Sequence, residues 1–257
     1  MLSLVIAVLM TALSLTGIFF QNSLYPSEVL RRSFVSNDAV NLLIGLPVLL
    51  GSLWLAWRGK LIGLLFWPGA LFYITYNYIA YAAAMPLTLL FALYLLLTVL
   101  SVFTLVRLLS GLDAIAIGER LRGKVPEGLA GGVLAGFGAL FFLRSAGQIF
   151  AAISNQAAPS APELGTLLAD LLTCPVWVSG GVLLWRRQAF GYVSAAGLLF
   201  QASMLFIGLL AFFILQPFLS AAPFALVDFL VILAMGLVCF IPFGLFVRGI
   251  LTQGSGR

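Results

Sequence analysis

Few residues in this chain could do chemistry, and most of them lie inside apolar stretches. They are Arg144, Asp170, Asp228, Asp38, Asn41, Asn77, Gln148 and Gln201, with the tyrosines Tyr73 and Tyr76. At 1.5 Å per helical residue in a hydrocarbon core about 30 Å thick, Arg144, Asp170 and Asp228 each fall roughly 7–8 Å below the same membrane surface. Tyr76 and Asn77 reach a similar level, and Asp38 and Asn41 are expected at the outer end of their span. An uncompensated charge costs ~3 kcal/mol or more at a helix centre. Arg144 is therefore expected to pair with Asp170 on the adjacent span, with Asp228 as the alternative. Such a pair can fix helix packing, let the guanidinium snorkel to the headgroups, or bind an anionic group or gate proton movement. Arg144 and Gln148 share a helical face. Tyr73, Asn77 and Tyr81 recur at spacing four, and a buried amide needs partners, so this stripe is a candidate cavity lining. Gln201, near the midplane of a later span, could reach the same region.

The missing residue types exclude more than the present ones establish. The chain has no His, so histidine acid–base catalysis and His-ligated metal are ruled out. No Gly-rich phosphate loop fits, and neither metal nor cofactor is expected. Asp38, Asp170 and Arg144 could serve an intramembrane enzyme on a lipid-linked substrate, but no motif demands it. Gly132, Gly136 and Gly138 lie in an apolar helix, where small residues, the first two at spacing four, let neighbouring helices approach closely. Cys174 and Cys239 fall at different depths, too far apart for a bridge.

The elements that must position these groups are membrane helices. Hydrophobic residues make up 63% of the sequence and charged residues 8%, with mean hydropathy +1.16. A soluble domain carries about a quarter charged residues. The apolar stretches predict eight spans, near residues 2–20, 39–57, 61–83, 86–109, 129–153, 165–185, 192–215 and 224–248. The first lacks the basic flank and small-residue cleavage site of a signal peptide; removing it would leave seven. Ten basic residues fall on one side (Arg58, Lys60, Arg107, Arg120, Arg122, Lys124, Arg186, Arg187, Arg248, Arg257) and only Arg31 and Arg32 on the other. The positive-inside rule makes the first side cytoplasmic, so both termini are inside. The net charge of +5 is then mostly topology, not a nucleic-acid footprint.

The halves resemble each other. Pro47 to Trp57 reads PVLLGSLWLAW and Pro175 to Trp185 reads PVWVSGGVLLW; Arg58 and Arg186, Gly63 and Gly191, and Gly69 and Gly197 follow at the same offset of 128 residues. Gly17-Ile18-Phe19-Phe20 resembles Gly147-Gln148-Ile149-Phe150, and Val106-Arg107 resembles Val247-Arg248. The expected fold is all-α and polytopic, with two parallel four-helix repeats (residues 1–109 and 129–251), a linker (110–128) and a disordered tail (252–257). Pro47 and Pro175 would free the carbonyls of Leu43 and Leu171 and kink equivalent helices. Matched interruptions in two halves point to a transport site. The linker alternates Leu112, Ile115 and Ile117 with charges, which suits an interfacial helix or a contact for a membrane-protein partner.

No motif ties the chain to a family with assigned residues; its general character resembles multi-pass proteins of the prokaryotic plasma membrane. The first functional reading is a carrier or channel-like protein for a small polar or amphipathic solute. Arg144 would hold an acidic group and Asp170 or Asp228 would pair or titrate. The second is a non-catalytic accessory or sensory subunit, and the third is the enzyme.

Overall fold

The structure is a computed structural model, and it describes residues 1–220 and 222–252. Long apolar runs give eleven α-helices among the described residues, with no strand. They are α1 (Leu2–Phe19), α2 (Gln21–Leu24), α3 (Glu28–Val40), α4 (Leu46–Trp57), α5 (Leu61–Ala84), α6 (Leu89–Ser110), α7 (Ala114–Leu121), α8 (Glu127–Ser154), α9 (Ala161–Trp185), α10 (Ala189–Ser220) and α11 (Leu226–Leu251). A π-helical turn, Asn41–Gly45, joins α3 to α4, so Glu28–Trp57 is one rod. Seven helices are long and apolar enough to cross a membrane: α1, the Glu28–Trp57 rod, α6, α8, α9, α10 and α11. α5 is 24 residues long. Its Pro68, Asn77 and four tyrosines make it less apolar, and it packs on α4, α6, α9 and α10 at the centre of the bundle.

The rod corrects the expected start of the second span. Residues 28–37 are too polar to register as membrane, yet they are helical. Ser27 Oγ accepts from the Leu30 amide, Glu28 sits in the first turn, and Leu30, Phe34 and Val35 are buried. Ser27 is thus a side-chain cap of the preferred kind. Asp38 and Asn41 therefore lie about three turns into a helix, not at its outer end. The expected pair of proline interruptions also differs. The π-helical turn ends just before Pro47, where an extra residue per turn absorbs the missing amide, whereas α9 is α-helical from Ala161 to Trp185 across Pro175. α8 lies tightly along α9 there, with Gly138 against Cys174 and Val178 and Gly131 against Gly181. It is Gly131 and Gly138, not Gly132 and Gly136, that make this approach; the latter two have no neighbour at the position of an added side chain.

The two hairpins match residue by residue. α4 ends as Gly59 N donates to Ala56 O (2.9 Å) and Lys60 N to Leu55 O (3.0 Å); α9 ends as Arg187 N donates to Leu184 O (2.8 Å) and Gln188 N to Leu183 O (2.9 Å). Both are Schellman closures, with a left-handed residue after the helix: Gly59 at φ 68° and Arg187 at φ 55°. Arg122 Nη2 donates to the Arg187 carbonyl at 3.1 Å and helps hold this non-glycine residue in place. Gly63 packs on Leu55 and Ala56, and Gly191 on Leu183 and Leu184. At the centre, α5 crosses α10 with Gly69 against Gly197, too close for any side chain at Gly69. α5 also lies on α9, α10 on α3, α1 on α6 and α8 on α11.

The linker is docked. Asp113 caps α7, whose Gly118 rests on Ala189, and α7 packs on α10. Glu127 Oε1 accepts from Gly123 N (2.6 Å) and from Tyr192 OH (3.1 Å), and Gly249 packs on Lys124. Both cysteines are buried and unbridged. The tail expected to be disordered, from Gln253 on, lies outside the described residues.

Candidate functional site

A cavity of ≈ 440 Å³ opens between the two halves. Its walls are Ser33, Phe34 and Asn37 of α3, Tyr73, Tyr76, Asn77 and Ala80 of α5, Ser160, Pro162, Glu163 and Thr166 at the start of α9, and Leu205, Gly208, Leu209 and Phe212 of α10. These segments lie at the ends of their helices away from the basic hairpins at Arg58 and Arg186. The Gly69–Gly197 crossing lies one turn below Tyr73 on α5. Above it, Gly208 faces Tyr73 OH and Gly165 packs on the Ala80 carbonyl.

The two asparagines of the wall are held by hydrogen bonds. Asn37 Nδ2 donates to Asn77 Oδ1 at 3.3 Å, and Asn77 Nδ2 donates to the Tyr73 carbonyl at 2.9 Å. The amide is thus satisfied while its face borders open space, as a buried amide requires. Tyr73 and Asn77 of the expected stripe line the cavity; Tyr81 turns elsewhere. Glu163 is the only Asp, Glu, Lys or Arg in the lining.

Arg144 is not part of that wall. Its side chain is 52% exposed, and Nη1 stands 3.9 Å from Asp170 Oδ2. Asp170 is held chiefly by hydroxyls: Tyr76 OH donates to Oδ1 and Ser145 Oγ to Oδ2, both at 2.9 Å. Asp170 is thus buried at the α8–α9 seam with Arg144 on its exposed side, and Tyr76, which lines the cavity, bonds to it. Asp228 is exposed in the first turn of α11, where a carboxylate complements the helix dipole; no ion pair joins it to Arg144. Gln148 is partly buried with Oε1 unpartnered, and Gln201 is buried with Oε1 accepting from Trp177 Nε1 at 2.6 Å. Neither reaches the cavity.

Asp38 occupies a second polar centre. It is 2% exposed. Tyr25 OH donates to Oδ2 at 2.6 Å and Tyr81 OH to Oδ1 at 2.9 Å. Gly17 of α1 packs directly on this carboxylate, and a side chain there would fall on Oδ2. Phe34, Tyr78, Tyr81 and Tyr94 stack around it, with Tyr81 4.4 Å from Phe34 and 5.0 Å from Tyr94, centroid to centroid. Burial, with the Asp38 charge adding to it, holds the Tyr25 phenol far above its usual pKa, so it remains a donor. Asn41, Ser14, Tyr78 and Tyr94 carry buried polar atoms without partners.

Sequence spacing missed Tyr25, Tyr78, Tyr94, Ser14 and Ser145, because tyrosine near a helix end reads as an interfacial anchor and serine as a small packing residue. Asn37 and Glu163 were missed because hydropathy placed them outside the spans. No protein-family model, curated protein or solved structure matches the chain.

Proposed function

We propose that this chain is a small carrier or channel-like membrane protein that takes a small polar or amphipathic solute into the cavity between its two halves. The observation that carries this reading is the cavity itself: both halves build it, and polar groups border it at the level of α5 and α10. The matched hairpins and the Gly69–Gly197 contact support a parallel repeat of four spans each, related by a pseudo-two-fold axis along the membrane normal. On that arrangement α5 is an eighth span, both termini are cytoplasmic, and the cavity opens outward. Glu163 and the asparagines, not Arg144, would then meet the solute.

The rival readings have less support. α7 packs on α10 with Ile117 and Leu121 buried, which leaves Ile115 as the exposed apolar side chain of that helix for an accessory partner. Asp38 and Asp170 belong to separate hydrogen-bonded clusters, and Arg144 adjoins only the second, so they do not form one catalytic set.

The test is a solute screen by thermal stabilisation in detergent, followed by uptake into proteoliposomes. A ligand at 100-fold over its Kd stabilises by about 2.7 kcal/mol. Thr166→Trp, at an exposed lining position, is expected to weaken binding at least ~10-fold, about 1.4 kcal/mol, without loss of fold. A solute whose binding and uptake ignore that substitution would sink the proposed site.

A further inference from the structure

Asp38 has no cationic partner. The ion pairs among the described residues join Arg32 to Glu28 and Arg144 to Asp170. The groups that face Asp38 are hydroxyls: Ser14 of α1, Tyr25 of the connector, Tyr78 and Tyr81 of α5, and Tyr94 of α6. α10, which also packs on α3, carries no Asp, Glu, Lys or Arg, and on α9 Glu163 lines the cavity while Asp170 is bonded to Tyr76 and Ser145. Ser14 faces both the carboxylate and Tyr78 but falls short of hydrogen-bonding geometry.

We infer that Asp38 is a proton-binding site, and that Tyr81 carries its protonation state to the wall of the cavity. Tyr81 OH has one hydrogen and two acceptors in reach: Asp38 Oδ1 at 2.9 Å and the Phe34 carbonyl at 3.3 Å. With the carboxylate ionised, Tyr81 donates to Oδ1. When a proton arrives on Oδ1, that O–H donates to the Tyr81 oxygen, and the Tyr81 hydrogen turns to the Phe34 carbonyl. One proton is gained, no covalent bond to carbon changes, and Tyr25 donates to Oδ2 throughout. Both states satisfy the two oxygens of Asp38, as buried polar groups require.

Two further observations point the same way. Phe34 and its helical neighbour Asn37 line the cavity, and Asn37 bonds Asn77 across it. The exchange at Tyr81 therefore ends on a residue that touches the cavity. Asn41 is 1% exposed with both amide atoms unpartnered, and the hydroxyls of Tyr78 and Tyr94 are likewise buried and unpartnered. A carboxylate serving only as a packing clamp has no use for such spare donors and acceptors; a proton that enters and leaves does. Asn41 also opens the π-helical turn, and such turns occur frequently at functional sites. The link to solute movement rests on the transport reading; the proton site does not.

The experiment is infrared difference spectroscopy of the full chain in nanodiscs, stepped from alkaline to acid buffer, in sodium chloride and again in choline chloride. A protonated-carboxyl band, shifted in D2O, is expected in the unsubstituted chain and in Asp170→Asn, and lost in Asp38→Asn. If Asp38→Asn does not fold, Asp38→Glu identifies the band by moving its frequency. Tyr81→Phe is expected to displace the midpoint by about one pH unit, the scale of one hydrogen bond to a charged group, and to remove the tyrosine C–O change that accompanies the titration. No Asp38-dependent band, or a signal that follows sodium and not pH, would overturn the site; an unmoved midpoint in Tyr81→Phe would overturn the relay. A titrating Asp38 in a chain that takes up no solute would instead count against the transport reading alone.

Discussion

At the scale of single residues, the two buried carboxylates show how partners decide what a charge is worth. Asp170 has a hydroxyl donor on each oxygen, neither of them supplied by Arg144. The guanidinium is half exposed and stands beyond hydrogen-bonding distance, the situation in which ion pairs contribute about 0–1 kcal/mol. Arg144→Leu is therefore expected to cost no more than ~1 kcal/mol. Asp170→Leu leaves Tyr76 OH and Ser145 Oγ without their acceptor in a buried place, at ~1–3 kcal/mol each. Thermal unfolding in one detergent should rank the two that way; equal losses would mean that the pair is stronger than its geometry. The sequence made Arg144 and Asp170 visible because charges are rare in an apolar helix. It could not show that hydroxyls would carry most of the coordination, since Tyr76 and Ser145 come from two other helices whose rotation hydropathy does not set. The same limit hid Tyr25, which reaches Asp38 from outside every span.

Between elements, backbone approach decides the packing. Gly69 and Gly197 let α5 and α10 touch one turn from Tyr73, and a side chain at Gly69 would meet the Gly197 carbonyl, which cannot rotate away. Gly69→Val is expected to destabilise by ~3 kcal/mol or more, beyond ordinary overpacking, and to reduce folded yield. Gly136, with open space around it, is the contrast: Gly136→Ala should be neutral or stabilise by up to ~1 kcal/mol through helix propensity. Folded yield by size exclusion and unfolding in detergent would separate them, and a harmless Gly69→Val would mean that α5 and α10 do not approach this closely. The repeat offset pointed to Gly69 and Gly197 from the sequence. Gly132 and Gly136 looked like a packing pair by spacing, yet the seam with α9 runs through Gly131, Leu134, Gly138 and Ser145. Apolar residues surround the whole of α8, so periodicity could not say which face turns inward. Polarity likewise hid the first three turns of the Glu28–Trp57 rod.

For the molecule as a whole, the open question of topology turns on α5. Seven helices are long and apolar enough to cross, and a chain in which those seven alone cross would put Arg58 and Lys60 on the opposite side from Arg107. That would split the basic residues that the positive-inside rule gathers. α5 is about as long as a span at 1.5 Å per residue; its Tyr73, Tyr76 and Asn77 line the cavity and its Tyr78 and Tyr81 face the Asp38 cluster instead of lipid, so low hydropathy does not bar it from crossing. A polar helix shielded by apolar neighbours is tolerated where a lone one is not. Single cysteines at Gly59, Leu87, Gln156 and Gln188 in a background lacking Cys174 and Cys239 test this with a membrane-impermeant maleimide on intact cells. Labelling is expected at Leu87 and Gln156 without lysis, and at Gly59 and Gln188 only after it. If Gly59 and Leu87 label together, α5 does not cross, the two basic hairpins lie on different sides, and the pseudo-two-fold relation between the halves fails along with the outward-facing cavity it implies.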